Sequence, residues 1–240
     1  HYQVLAGYDR WERVPVEVGL CPAFDVDTLE WTGEYEVYRD RDGVIKKRRR
    51  DAKEPAMPQY VDYPIKSRAD WPEFKKRLNP ESPVRFPIFW DSIKVDYQDR
   101  DYPLGINAGS IFGWMRNWTG LVGISYLLYD DPAFIEQAAD DISYCIATVL
   151  KKVVSEVQFD FASLWEDMAY KTASMIDPKL YRKVFFKYYR RVVDVVRGAG
   201  IDVLTLDSDG HVEELIPVWL DCGINYMDTA DIYGTERDGR

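Results

Sequence analysis

Cysteine and histidine are scarce, with three and two residues among 240. Cys21, Cys145 and Cys222 lie far apart without CxxC spacing, which excludes a disulfide framework and a cysteine-only zinc site and suits a reducing, cytoplasmic setting. Long apolar runs are missing too: none approaches the roughly 18 residues that span a bilayer, so no membrane segment is expected. Positive charge is in deficit, 31 Lys and Arg against 41 Asp and Glu for a net charge of -10. That balance opposes a phosphate-tracking surface, and no nucleic acid is expected as a partner. No Gly-rich dinucleotide fingerprint follows any apolar run. The chain opens mid-pattern at His1 with no secretory signal, and a preceding segment is expected.

What is present argues for a globular protein, with 46% hydrophobic residues and 15% aromatics. Residues 1–100, rich in Pro, Trp, Tyr and charge, read as an irregular N-terminal part with a β-hairpin and a short helix. Short β-type pieces fall near residues 14–18, 34–39 and 44–48. The basic run Lys46-Lys47-Arg48-Arg49-Arg50 follows Asp42-Gly43 and reads as a solvated edge strand rather than an anion site. Asp70 is the expected N-cap of a short helix with Pro72 in its first turn.

Residues 101–227 are regular. Residues 104–107 read as a strand, residues 109–120 as a Gly-rich aromatic loop and residues 121–129 as a helix. Pro132 opens a long helix whose apolar face, Ile135, Ala138, Ile142, Cys145, Val149 and Val153, follows steps of three and four. Residues 159–164 form the next apolar run, and Asp177-Pro178 starts a second long helix reaching about residue 197. A further strand, a helix over residues 212–222 and a strand from residue 224 complete a β, α, β, α, β order. Such alternation implies an α/β fold with a parallel sheet. Without a dinucleotide fingerprint, a (β/α)8 TIM-barrel type is favoured over a doubly wound sheet, incomplete at one or both ends in this chain.

In parallel α/β folds ligands sit beyond the C-terminal strand ends. Asn107, Ser110 and Arg116 follow the first strand, Glu166 and Asp167 the second, and Asp207, Asp209 and His211 the third. Glu166, Asp167, Asp207 and His211 are therefore the candidate catalytic groups, as general acids or bases. Arg116 could hold a substrate carboxylate by a bidentate contact, and Asp207 with Asp209 could ligate a divalent metal. The rival readings are structural. Ser208 or Asp209 could cap the following helix, Glu166 and Asp167 need not both face a site, a lone His more often bonds locally, and the tryptophans near Arg116 could simply cover the core.

Three runs, Gly113-Trp114-Met115-Arg116-Asn117-Trp118, Trp165-Glu166-Asp167-Met168-Ala169-Tyr170-Lys171 and Leu206-Asp207-Ser208-Asp209-Gly210-His211-Val212-Glu213-Glu214-Leu215-Ile216-Pro217, resemble the uroporphyrinogen decarboxylase superfamily in order and spacing. The resemblance covers about residues 7–227 and is nearest to the decarboxylase-like branch beside the corrinoid-dependent methyltransferases. It implies a (β/α)8 barrel and a lyase or methyltransferase activity on a tetrapyrrole or other small-molecule ligand. It also implies Asn107, Trp114, Arg116 and Tyr170 as substrate-binding residues, and a corrinoid cofactor or a corrinoid protein as partner. The methyltransferase branch has a zinc-binding His and Cys where this chain has Asp207 and Asp209, so a harder divalent metal is expected in place of a thiol-activating zinc. The Arg-rich N-terminal motif of the decarboxylases is not visible.

Residues 228–240 form an atypical tail. With the residues just before it, this stretch resembles the early aldo-keto reductase motif, Asp228 and Tyr233 matching its Asp and Tyr spacing. The leading expectation is thus an enzyme acting on a tetrapyrrole carboxylate or in corrinoid-dependent methyl transfer. The alternatives are a non-catalytic corrinoid- or tetrapyrrole-binding protein, an inactive barrel fragment, or an aldo-keto reductase.

Overall fold

The computed structural model describes Gly7, residues 9–50 and residues 57–229. In chain order these form β1 (Glu12–Arg13), an antiparallel run of β2 (Asp27–Trp31), β3 (Tyr35–Arg39), β4 (Ile45–Arg49) and β5 (Gln59–Asp62), and the short helices α1 (Trp71–Phe74) and α2 (Trp90–Asp96). There follow β6 (Leu104–Asn107), α3 (Phe112–Thr119), α4 (Leu121–Asp130), α5 (Pro132–Val154), β7 (Phe161–Trp165), α6 (Pro178–Gly198), β8 (Val203–Asp207), α7 (Ile216–Cys222) and β9 (Tyr226–Asp228).

The α/β expectation holds: β1, β6, β7, β8 and β9 form one parallel sheet whose spatial order is the chain order. With no reversal of strand order, right-handed crossovers lay the helices on one face. There α5 packs on α6, and α6 on α7. Leu104, Ile106, Ala162, Leu164, Leu204 and Leu206 point to that face and are buried, each worth about 1.5–3 kcal/mol for the larger side chains. Neighbouring positions point the other way, because side chains alternate along a strand. The described residues form no closed barrel; the sheet is open, with β1 and β9 at its edges.

The two long helices begin where the sequence places them. Asp131 and Asp177 accept the backbone N–H of Phe134 and Leu180 ahead of Pro132 and Pro178. The six apolar positions expected on α5 are all buried.

Four local expectations change. The region read as irregular around a hairpin is a four-stranded antiparallel sheet, and the basic run is its inner strand β4, not an edge. Its cations are accommodated by Asp40 and Glu36 and by aromatic rings, Lys47 over Tyr35 and Arg50 over Trp31. Residues 14–18 form no strand, although Val14, Val16 and Val18 are buried. Asp70 holds the N-cap position of α1 with Pro72 in the first turn, as expected, but makes no side-chain cap bond there; its carboxylate instead completes a capping box with Ser67 on the turn before. The aromatic stretch over residues 109–120 contains helix α3, so Trp114 and Trp118 stack one turn apart at 5.9 Å.

Candidate functional site

The face of the parallel sheet turned away from the helices carries Asn107, Phe161, Ser163, Trp165, Thr205 and Asp207, with Tyr226 and Asp228 from β9 and Trp11 and Arg13 beside β1. These residues line a cavity of about 450 Å³. Gly105 shapes its floor: the Phe161 ring lies so close across the strand pair that a Cβ on Gly105 would come within 2.2 Å of it. Trp11 then meets Phe161 edge-on at 6.0 Å. Ser163 is 8% exposed, and its Oγ has no hydrogen-bond partner among the described residues.

Two acids, Asp207 and Asp228, line this cleft. Partial burial pushes the Asp207 carboxyl up from its ordinary value, and the negative charges of Asp209, Asp228 and Asp167 push it further, against the pull of Arg13. Arg13 sits 5.3 Å from the Trp11 ring and makes no ion pair among the described residues. Asn107 turns its Oδ1 back to the N–H of Gly109.

The adjacent acids after β7 are separated by the backbone. Asp167 has φ 44°, a left-handed conformation uncommon outside glycine. Its carboxylate lies 3.9 Å from Arg116 Nη2 and accepts the N–H of Asp209. Burial nonetheless raises its pKa, with Asp209 adding to the rise. Glu166 points the opposite way and is fully buried. Its two oxygens accept the N–H groups of Ile111 at 3.0 Å and Gly113 at 2.7 Å, and it is further bonded by Tyr189 and Ser110. Tyr189 Oη accepts from Phe112 N–H and Ser110 Oγ from Trp114 N–H. Four successive N–H groups at the start of α3 thus each have a side-chain acceptor, the need every helix start presents. Glu166 does not line the cleft.

Arg116 leaves the cleft for a second cavity of about 270 Å³, shared with Tyr60, Tyr63, Asn117, Asp167 and Met175. It donates to the Asp167 carbonyl and lies 5.5 Å from the Trp165 ring. Trp114 packs on Trp118 and over Gly19 and Gly109, and lines neither cavity. Tyr170 is exposed, and its carbonyl accepts the N–H of His211 at 2.7 Å. The His211 ring reaches toward Glu213 at 3.8 Å and does not line the cleft. Ser208 does not cap a helix; it is buried and its Oγ accepts the N–H of Met168. Asp228 ends β9, while Tyr233 lies outside the described residues.

No group of three or more His, Cys, Asp or Glu side chains among the described residues is placed to hold a metal ion. Among the described residues no third such side chain joins Asp207 and Asp209, fewer than the four ligands of a structural zinc. The three cysteines are buried, and burial pushes the thiols of Cys145 and Cys222 up to about 11 and about 12, so neither is a ready nucleophile. No helix among the described residues is long and apolar enough to cross a membrane.

The sequence reading missed Trp11, Arg13, Ser163, Thr205 and Tyr226. Phe161, Ser163, Thr205 and Tyr226 were available from period-two alternation back from Trp165, Asp207 and Asp228. Trp11 and Arg13 were not, because a two-residue strand carries no periodicity.

No family model and no curated protein matches the sequence. Among solved structures, a methyltransferase from Methanosarcina mazei is similar in fold, with a TM-score of 0.54 and 15% identity over 72% of this chain and 49% of that one. The chain thus spans about half the length of that structure, and at this identity the likeness concerns fold alone.

Proposed function

We propose that the five parallel strands are consecutive strands of a (β/α)8-type barrel and that their open face is the site of a methyl-transfer reaction. The barrel reading is supported by strands whose spatial order is their chain order, with helices on one face only. Methyl transfer is supported by the fold likeness to the Methanosarcina mazei methyltransferase. The observation that carries the choice is the cleft itself. At about 450 Å³ it lies at the low end of small-molecule sites. Its two carboxylates repel an acidic tetrapyrrole, so decarboxylation of such a substrate is disfavoured on size and on charge.

A methyl group moves as a cation equivalent. The bond from carbon to the donor atom breaks with its electron pair left on that atom, and the acceptor's lone pair forms the new bond. Asp207 and Asp228 suit a donor atom that carries positive charge, holding it by Coulomb attraction while the aromatic wall excludes water. Among the described residues the cleft is lined by no cysteine, and the reading takes the acceptor from a second molecule. A corrinoid fits this reading only when presented at the strand ends by a separate protein, because the cleft is too small to enclose one. When present it would supply the methyl-accepting centre, and in the reverse direction its methylated form would be the donor. The described residues bring no three metal-ligating side chains together, and no step is assigned to a metal.

The test incubates the full chain with methylcobalamin and a small thiol or amine acceptor, and separately with uroporphyrinogen. Loss of the cobalt-bound methyl, abolished by Asp207→Ala, is the expected result. Release of carbon dioxide from uroporphyrinogen would establish the decarboxylase instead, and inertness in both reactions would leave a binding protein.

A further inference from the structure

The cleft combines three chemistries that are seldom grouped. Its walls are aromatic, with Trp11, Phe161, Trp165 and Tyr226 around one volume. Two carboxylates, Asp207 and Asp228, stand at the ends of neighbouring strands, in register with each other. A guanidinium, Arg13, stands on the opposite edge strand with no ion pair among the described residues. Aromatic faces beside carboxylates are the recognised environment of an alkylated ammonium, whose methyl groups spread the charge over a surface that rings contact well. An unpaired guanidinium suits a carboxylate. Buried Ser163, whose Oγ lacks a partner, lies on the central strand between them and offers one more polar contact.

The spacing favours both charges residing on one small ligand. From β1 to β8 is three strand steps, about 14 Å sideways at about 4.8 Å per step, and Asp207 stands four residues beyond Val203, the β8 position in register with Arg13. The Arg13 charge nonetheless acts on Asp207. Both groups line the same cavity, which a single extended zwitterion can bridge.

We propose that this cleft takes a zwitterionic N-methylated amino acid, its carboxylate on Arg13 and its methylammonium in the aromatic wall against Asp207 and Asp228. The proposal rests on the methyl-transfer reading for its reaction, but not for its binding. As a methyl donor such a ligand loses one CH₃ to the acceptor's lone pair, the C–N electron pair stays on nitrogen, and a neutral tertiary amine leaves without any proton transfer.

Calorimetric titration of the full chain with trimethylglycine, tetramethylammonium and acetate tests the pairing of charges. Trimethylglycine should bind on the order of tenfold or more tighter than either half-ligand, one such contact being worth about 1.4 kcal/mol. Arg13→Ala should erase its advantage over tetramethylammonium. Asp207→Asn should weaken both cations. Equal binding of trimethylglycine and tetramethylammonium by the unaltered chain, or an Arg13→Ala variant that still discriminates, overturns the proposal. If trimethylglycine fails to bind while methylcobalamin is demethylated, this ligand class falls and the methyl-transfer reading stands. If it binds with the predicted discrimination and no methyl ever moves, the reaction falls and the ligand class stands.

Discussion

Replacing Glu166 by Gln tests whether this acid is a structural keystone or a catalytic one. The substitution keeps shape and removes one acceptor. In the native chain the two carboxylate oxygens take the N–H groups of Ile111 and Gly113. A glutamine has a single oxygen, so one of those donors faces an NH₂ group in a fully buried site. An unsatisfied buried donor costs about 1–3 kcal/mol. Taking about 2 kcal/mol, the melting temperature of a domain this size should fall by about 4–8 °C. One effect works against this: burial of the charge itself raises the pKa of Glu166, despite the opposing bonds from Tyr189, Ile111, Gly113 and Ser110. With its folded pKa above the unfolded value, Glu166 favours the folded state most at low pH, and that contribution is lost as pH rises through the folded pKa. Stability of the native chain should therefore rise on mild acidification, and Glu166→Gln should flatten that rise. Scanning calorimetry at several pH values reads both effects. A variant as stable as the native chain at neutral pH, to within about 0.5 kcal/mol, would refute the reasoning, because desolvation would then outweigh the two N–H bonds.

The loop carrying Asp209 and His211 should fail through its glycine. Gly210 has φ 94°, and a Cβ there would lie 2.6 Å from the Ala169 carbonyl oxygen, so Gly210→Ala should cost at least about 1–3 kcal/mol in a urea melt. A melt unchanged from the native one would mean that the two loops can part without penalty. Binding of a cation in the cleft should depend on pH through Asp207, which faces Asp167, Asp209, Asp228 and Arg13 and titrates above the ordinary carboxylate range. Affinity for tetramethylammonium should drop as acidification protonates Asp207, beginning above the usual value near about 4. In Asp207→Asn the profile should be flatter, and an identical profile in the two proteins would assign the dependence to another group.

Much of the parallel-sheet region was legible because its signals are local and redundant. Asp131-Pro132 and Asp177-Pro178 each pair an N-cap with a first-turn proline, and the apolar steps that follow mark a single face. The parallel strands were legible as apolar runs between those helices. The aromatic stretch before residue 120 was misread because its glycines resemble a loop. Its helix is held from outside, by Glu166, Tyr189 and Ser110, whose contributions lie 53 to 77 residues away for the first two. The antiparallel sheet was hidden for a similar reason: Lys46 to Arg50 looks too charged for an inner strand, and only pairing with Glu36, Asp40 and the neighbouring aromatic rings makes it acceptable. Within the site, the acids after β7 and β8 were visible, but beyond the strand end alternation stops, and the left-handed turn that directs Asp167 carries no sequence pattern.

The Glu166-Asp167 pair gives that point its physical content. Strand alternation turns Ser163 and Trp165 toward the cleft, so Glu166 turns toward the helices, where a carboxylate survives only by capping α3. Asp167 comes next, and the left-handed turn at that residue brings its carboxylate to Arg116 and to the Asp209 N–H. Arg116 itself stands on α3. The buried acid thus fixes the helix that supplies the cation against which the half-buried acid rests, and Asp167 in turn contributes to the charge felt by Asp207. Loosening Glu166 should therefore move the electrostatics of the cleft through α3 and Arg116, without Glu166 ever touching a ligand.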